Sequence, residues 1–210
     1  MYTELELVNH ILQTLGESNT PTLETTHPAV VQARNTLASY NKEFQQPGWW
    51  FNKEYGVKLL PNSEGKVRLP TDTMEFKVTQ CILQARMPSQ KVRFVKRGSF
   101  IYDAQEHTDI LNCAVWADLV LLLPIEDLPS AAGNYLKHFS AESAFLADDG
   151  DIAVYRELQR KTLIAQAKLK QSEMECTAAN QFESPHMLAF RQATTTAAGG
   201  MARRGLFLGG

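Results

Sequence analysis

The sequence is short of most features that would mark an enzyme, a membrane protein or a nucleic-acid binder. Its 210 residues contain no G-x-S-x-G, no H-E-x-x-H, no P-loop and no G-x-G-x-x-G. The familiar nucleophile, zinc and phosphate-cradling patterns are therefore missing. Five histidines, His10, His27, His107, His138 and His186, lie far apart and share no metal-ligand spacing. Three cysteines, Cys81, Cys113 and Cys176, form no C-x-x-C. An odd number without that motif reads as reduced, small core hydrophobes, which suits synthesis in a reducing cytosol. Charge of one sign is also lacking. The formal net charge of −2 and pI near 6.2 remove any global electrostatic case for nucleic-acid binding. The longest apolar run, LVLLLPI at Leu119–Ile125, contains Pro124 and falls far short of the ~20 residues that span a bilayer. The opening MYTELELVNHIL carries acids where a signal peptide carries a basic region, so no signal peptide and no membrane association are expected.

What is present suffices for a core, with 44% hydrophobic and 21% charged residues, an ordinary globular balance. From Glu4 to Gly16, Leu5, Val8, Ile11, Leu12 and Leu15 recur at helical spacing, and Gly16 sits where a glycine ends a helix. A second helix is predicted to open at Pro28, a favoured first helical residue. Its stripe is Val30, Ala33, Leu37, Tyr40 and Phe44, and QQPG stops it. Between Gly48 and about Leu123 the period changes. WWFNKEYGVKLLP, KVRLP, EFKVTQCIL, KVRFVK and SFIYD read as short strands, with NSEG and KRGS as hairpin turns. CAVWADLVLLL fits a strand or a buried helical turn, and the alternation of Leu119, Leu121 and Leu123 favours the strand. In a strand beginning after Pro47-Gly48, Trp49 and Phe51 would face the sheet core and Trp50 the junction with the helices.

Helical spacing returns after Pro124, with Asp127 as a candidate cap and Pro129 in the first turn. Tyr135, Leu136, Phe139, Ala144, Phe145 and Leu146 form a broad apolar face. A final helix from about Asp151 to Gln181, roughly 45 Å long, places Tyr155, Leu158, Thr162, Ala165, Leu169 and Cys176 along one side. The fold class is thus α+β. An antiparallel helical bundle (1–47 and 124–183) is predicted to carry a small antiparallel β-subdomain (48–123) between its second and third helices. An extended arm (184–210) follows.

Candidate chemistry is thin. DDGD at Asp148–Asp151 lacks the alternating ligands and twelfth-position Glu of a calcium loop and reads as a turn whose last Asp caps the next helix. Glu126 and Asp127 are sequence neighbours, whereas glycoside hydrolysis needs two carboxyls flanking the bond; a helix cap suits them better. His138, near Tyr135 and Glu142, reads as a surface or interface histidine rather than a general base. The run Arg156, Arg160, Lys161, Lys168 and Lys170 on the last helix is a solvated face, or a contact to passing DNA or an acidic partner. Neither catalytic, cofactor nor metal residues are expected. After Glu183, small residues and glycine dominate, too poor in apolar surface to fold alone. Leu188 and Phe190 form one possible anchor there. Leu206, Phe207 and Leu208, with Arg203 and Arg204, form another, joined by ATTTAAGGMA. Apolar side chains with arginines suit an interface, so the segment reads as a docking arm. The alternative is that it folds back on its own subunit.

The order VNHILQTLGE, TLE, an A-R-x-x-L helix, FQQPGWWFN with KEYGVKLLP, then GKVRLP, RFVKRGSFIYD and EDLP before a helix resembles the tail tubular protein A family. These are head-to-tail adaptors of short-tailed bacteriophages (podoviruses). The resemblance runs from about Val8 to about Leu158 and is strongest at Leu15–Glu17, Gly48–Asn52 and Arg97–Asp103; the glycine-rich segment after Glu183 does not share it. It implies a structural virion protein without cofactor, made in the host cytoplasm and placed at the head–tail junction. Its subunits would form a ring, generally of twelve, between portal protein and a tail nozzle of tail tubular protein B type. Tail fibres are further possible partners, and double-stranded DNA passes through the ring only as cargo. Two other functions stay open: a tail-associated polysaccharide hydrolase, as proposed for some proteins of this type, and a generic oligomeric scaffold.

Overall fold

The computed structural model describes residues 1–81, 94–147 and 151–182. The order is α1 (Glu4–Thr14), α2 (Pro28–Gln45), β1 (Lys53–Leu59), β2 (Thr73–Cys81), β3 (Phe94–Arg97), β4 (Phe100–Asp103), β5 (Val115–Leu121), a 3-10 turn (Ile125–Asp127), α3 (Ser130–Ala147) and α4 (Ile152–Phe182). The fold is mixed α+β. The residues expected to anchor a docking arm, Leu188, Phe190, Arg203, Arg204, Leu206, Phe207 and Leu208, lie outside the described residues, as do Asp148–Gly150.

Local signals set the first two helices. Thr3 Oγ1 accepts the Glu6 N–H at 3.2 Å and the Glu6 carboxylate accepts the Thr3 N–H at 2.9 Å, a reciprocal cap that satisfies two helix-end donors. At the other end Gly16 has φ +76°. The Glu17 N–H reaches the Leu12 carbonyl at 2.9 Å and the Gly16 N–H the Gln13 carbonyl at 3.2 Å, the paired bonds of a glycine-terminated helix. Helix α2 starts at Pro28, as predicted. Leu7, Val8, Ile11 and Leu12 of α1, Val30, Ala33, Leu37 and Phe44 of α2, and Ala132, Leu136 and Ala141 of α3 form one buried cluster, with Ile125, Leu128 and Leu169.

Strands β1, β5 and β2 form an antiparallel sheet in that order, and β3–β4 a separate hairpin. The central strand is the one whose sequence was ambiguous. Val115, Ala117 and Leu119 of β5 join Val67, Leu69, Ile101, Leu111 and Cys113 in a second buried cluster. At the tip of the hairpin Gly98 has φ +60° and Ser99 does not share the sign, the requirement of a type II′ turn. The KVRLP stretch differs from expectation. It forms isolated bridges, Lys66 to Ile110, Val67 to Pro61 and Arg68 to Phe100, because its neighbours approach from three separate segments and no ladder extends.

The aromatic corner also differs. Residues 48–52 are a turn and β1 begins only at Lys53. Trp49, Trp50 and Phe51 all pack against the helical cluster, so the expected partition of Trp49 and Phe51 into the sheet core is wrong. A strand's alternation does not apply because Asn52 closes the turn. Its Oδ1 accepts the Trp49 N–H at 2.7 Å and its own N–H donates to the Trp49 carbonyl at 3.2 Å. The Trp49 indole N–H then donates to the Phe44 carbonyl at 2.8 Å.

Asp127 does not cap α3. Its backbone lies in the 3-10 turn, and α3 starts directly after Pro129, whose carbonyl accepts the Gly133 N–H at 2.9 Å. Glu126 does serve a helix end, that of α1, by accepting the Glu4 N–H at 3.2 Å. Asp151 caps α4 as predicted, accepting the Ala153 N–H at 2.7 Å.

Candidate assembly interface

Helix α4 spans 31 residues, about 46 Å, and packs on α3. It buries Leu158, Thr162, Ala165 and Leu169. Steps of four, three and four residues make a narrow seam of coiled-coil type. Cys176, expected further along this side, is exposed, since the packing partner does not follow α4 that far. At 100° per residue, Leu163, Ala167 and Met174 fall on the side away from the seam. Leu163 is 59% exposed, Ile164 45% and Met174 64%. Isolated exposed apolar side chains are normal, whereas several on one helix face mark a contact surface. Spacing in the sequence conceals this face because the seam residues carry the stronger periodicity.

Arg156, Arg160, Lys161 and Lys168 are all exposed. They form two short rows, Arg156–Arg160 and Lys161–Lys168, on either side of Ile164. The Arg160 guanidinium grips Glu157 through two bonds of 2.9 and 2.8 Å, and Lys161 stands 3.9 Å from the same carboxylate. The hydrogen bond from Arg160 holds the Glu157 carboxyl below the usual range. Half of this basic run is thus tied to an acid within its own helix.

Two polar clusters support the surface from within. Gln45 Nε2 donates to Asn41 Oδ1 at 2.8 Å and to the Leu123 carbonyl at 2.9 Å, while its Oε1 accepts the Leu123 N–H at 2.9 Å. Asn52 Nδ2 donates to the Gln45 and Leu121 carbonyls at 3.0 and 2.9 Å. These two carboxamides, both buried, join the end of α2 to the exit of β5. The second cluster is His10 of α1 against His138 of α3, edge to face with centroids 5.6 Å apart. His10 Nε2 and His138 Nδ1 are buried without a hydrogen-bond partner among the described residues. Desolvation first, then Lys137, His138 and Lys161, push His10 down to about 4. Desolvation first, then Lys137 and Lys161, lower His138 as well. A neutral, desolvated pair of this kind is a packing element sensitive to acid.

A groove of about 490 Å³ runs between α1, α2 and α3, with Ala33, Thr36, Tyr40, Glu43 and Ala144 on its walls. Among the described residues no group of three metal-ligating side chains occurs and no helix is long and apolar enough to cross a membrane.

Residues 5–186 match the family model described as tail tubular protein. Tail tubular protein A of Klebsiella phage KP34 is 26% identical over 152 residues, covering 72% of this chain and 76% of that protein. With a family match over most of its length, the chain belongs to the tail tubular protein family, a component of the phage virion tail.

Proposed function

We propose that this chain is a head-to-tail adaptor subunit. About twelve copies form a ring between the portal and a nozzle of tail tubular protein B type, and DNA leaves through its centre. Residues 1–47 with 124–183 make the helical body of each subunit, 48–123 project as the β-subdomain, and 184–210 dock onto a neighbour or the portal.

The outer face of α4 carries the proposal. Leu163, Ile164 and Met174 are left exposed on a helix that, among the described residues, buries one seam. Burying each such side chain is favourable by about 1.5–3 kcal/mol, so a neighbouring copy seated there removes a cost that the lone subunit bears. Family membership supports the tail setting. The role has no cofactor and no chemical step.

Native mass measurement of the purified chain, alone and with portal, tests it. A closed ring is expected. Leu163→Glu together with Met174→Glu should keep the circular-dichroism spectrum of the subunit and abolish the ring. Turnover of capsular polysaccharide by the pure chain, lost in Glu126→Gln or Asp127→Asn, would contradict the non-enzymatic reading.

A further inference from the structure

Two of the three cysteines, 32 residues apart in sequence, meet at one end of the three-stranded sheet. Cys81 is the last residue of β2 and pairs with Val115, the first of β5. Cys113 lies two residues before Val115, so residues 81 and 113 are diagonal neighbours, normally ~7–8 Å apart. A bend closes that gap. Asn112 is in the left-handed region at φ 48°, and the Gly65 carbonyl accepts the N–H groups of both Leu111 and Asn112 at 2.9 Å. The bend sets Cys113 into the sheet core, 7% exposed, with its Sγ 2.7 Å from that of Cys81. Cys81 is half-buried and Cys113 buried, so Cys81 is the more accessible residue of the pair. Core filling alone asks for any small apolar side chain at each place and does not ask for two sulfurs in contact. An accessible thiol backed by a second one in contact is the arrangement for stepwise disulfide exchange.

We propose that Cys81 and Cys113 are an oxidation site that closes to an intramolecular disulfide by exchange with a small-molecule disulfide. Cys81 gives its proton to solvent and its thiolate attacks one sulfur of the reagent. The reagent's S–S bond breaks and its first thiolate leaves. Cys113 then loses its proton and attacks the Cys81 sulfur of the mixed disulfide. The Cys81–Cys113 bond forms and the second thiolate leaves. The protein gives up two electrons and two protons, which the reagent carries away as two thiols. The new bond ties the end of β2 to the approach to β5, across the loop that contains β3 and β4. In a reducing cytosol the pair stays as thiols. A tail protein released with its particle meets oxidising surroundings, where such a bond persists.

The test uses the full chain carrying Cys176→Ala, which removes the exposed thiol on α4 and leaves the pair intact. The chain is incubated with glutathione disulfide, alkylated and analysed by intact mass and peptide mapping. The expected result is a loss of two hydrogens, no alkylated cysteine, and peptides of Cys81 and Cys113 joined until dithiothreitol is added. The thermal midpoint should rise by several degrees on closure, as expected for a cross-link over a loop of this size. Full alkylation of both cysteines after oxidation would overturn the proposal. So would a stable glutathione adduct on Cys81 with Cys113 still alkylated, or a cross-linked chain whose midpoint does not move. The mapping reads the wild-type pair, so it does not depend on substitutions of Cys81 or Cys113 that could unfold the sheet.

Discussion

Replacing Asn52 by alanine removes three hydrogen bonds from one buried point. The Asn52 side chain is 2% exposed and links the Trp49 N–H, the Gln45 carbonyl and the Leu121 carbonyl at 2.7, 3.0 and 2.9 Å. At about 1 kcal/mol for each bond, with the partners left half-covered, the loss is about 3 kcal/mol. In a chain of this length that lowers the thermal midpoint by roughly 6–12 °C. Urea denaturation should show a lower midpoint at unchanged slope, since the surface exposed on unfolding is the same. Asn52→Asp sharpens the test because it keeps the shape and the Trp49 acceptor but sets an oxygen against two carbonyls. Burial and those carbonyls would raise the folded-state pKa of the new carboxyl above its unfolded value of ~3.9. Measured against wild type, this variant is therefore most stable below about pH 4, where the protonated carboxyl donates one bond. It loses stability as pH rises through the folded value. A midpoint within 2 °C of wild type for Asn52→Ala, or Asn52→Asp tracking wild type at every pH, would refute the reasoning.

Trp49→Ala should cost about 3 kcal/mol, the low end for a large buried side chain because Trp49 is not fully buried. Its indole bond to the Phe44 carbonyl and the contact with the Phe44 ring at 5.5 Å are both lost, and a melting midpoint within a degree or two of wild type would exclude it from the core. His10, lowered to about 4 in the folded chain against 6.5 unfolded, contributes stability that is complete above pH 6.5 and is lost as pH falls towards 4. His10→Phe should flatten that part of the stability profile, by about 1 kcal/mol once solvent screening of a partly buried ring is allowed for; an unchanged profile would show that the pair does not titrate as described. Deleting residues 196–210 should leave subunit helicity intact and weaken ring assembly or portal attachment, measured by sedimentation; unchanged assembly would rule out a docking arm there.

The parts of the fold that were legible in the sequence are those set by near neighbours. The C-terminal end of α1 follows from Gly16, the start of α2 from Pro28, the β3–β4 turn from Gly98 and the start of α4 from Asp151. The aromatic corner was misread because its deciding contact is remote. Asn52 is held by Leu121, 69 residues away, and no local pattern of Trp49, Trp50 and Phe51 carries that information. The 3-10 turn at Ile125–Asp127 displaced the expected cap at Asp127, yet put Glu126 on the start of α1, 122 residues away in sequence. Along α4 the seam was readable from spacing. The exposure of Leu163 and Met174 was not, since it depends on how far α3 covers the helix. The Cys81–Cys113 contact likewise exists only through the bend at Asn112.

Adaptor assembly is tested most directly by electron microscopy of the purified full chain incubated with portal protein. A closed ring of about twelve subunits, seated on the portal with the outer face of α4 against the adjacent copy, is the predicted result. Particles that stay monomeric at every concentration and leave the portal bare would contradict it.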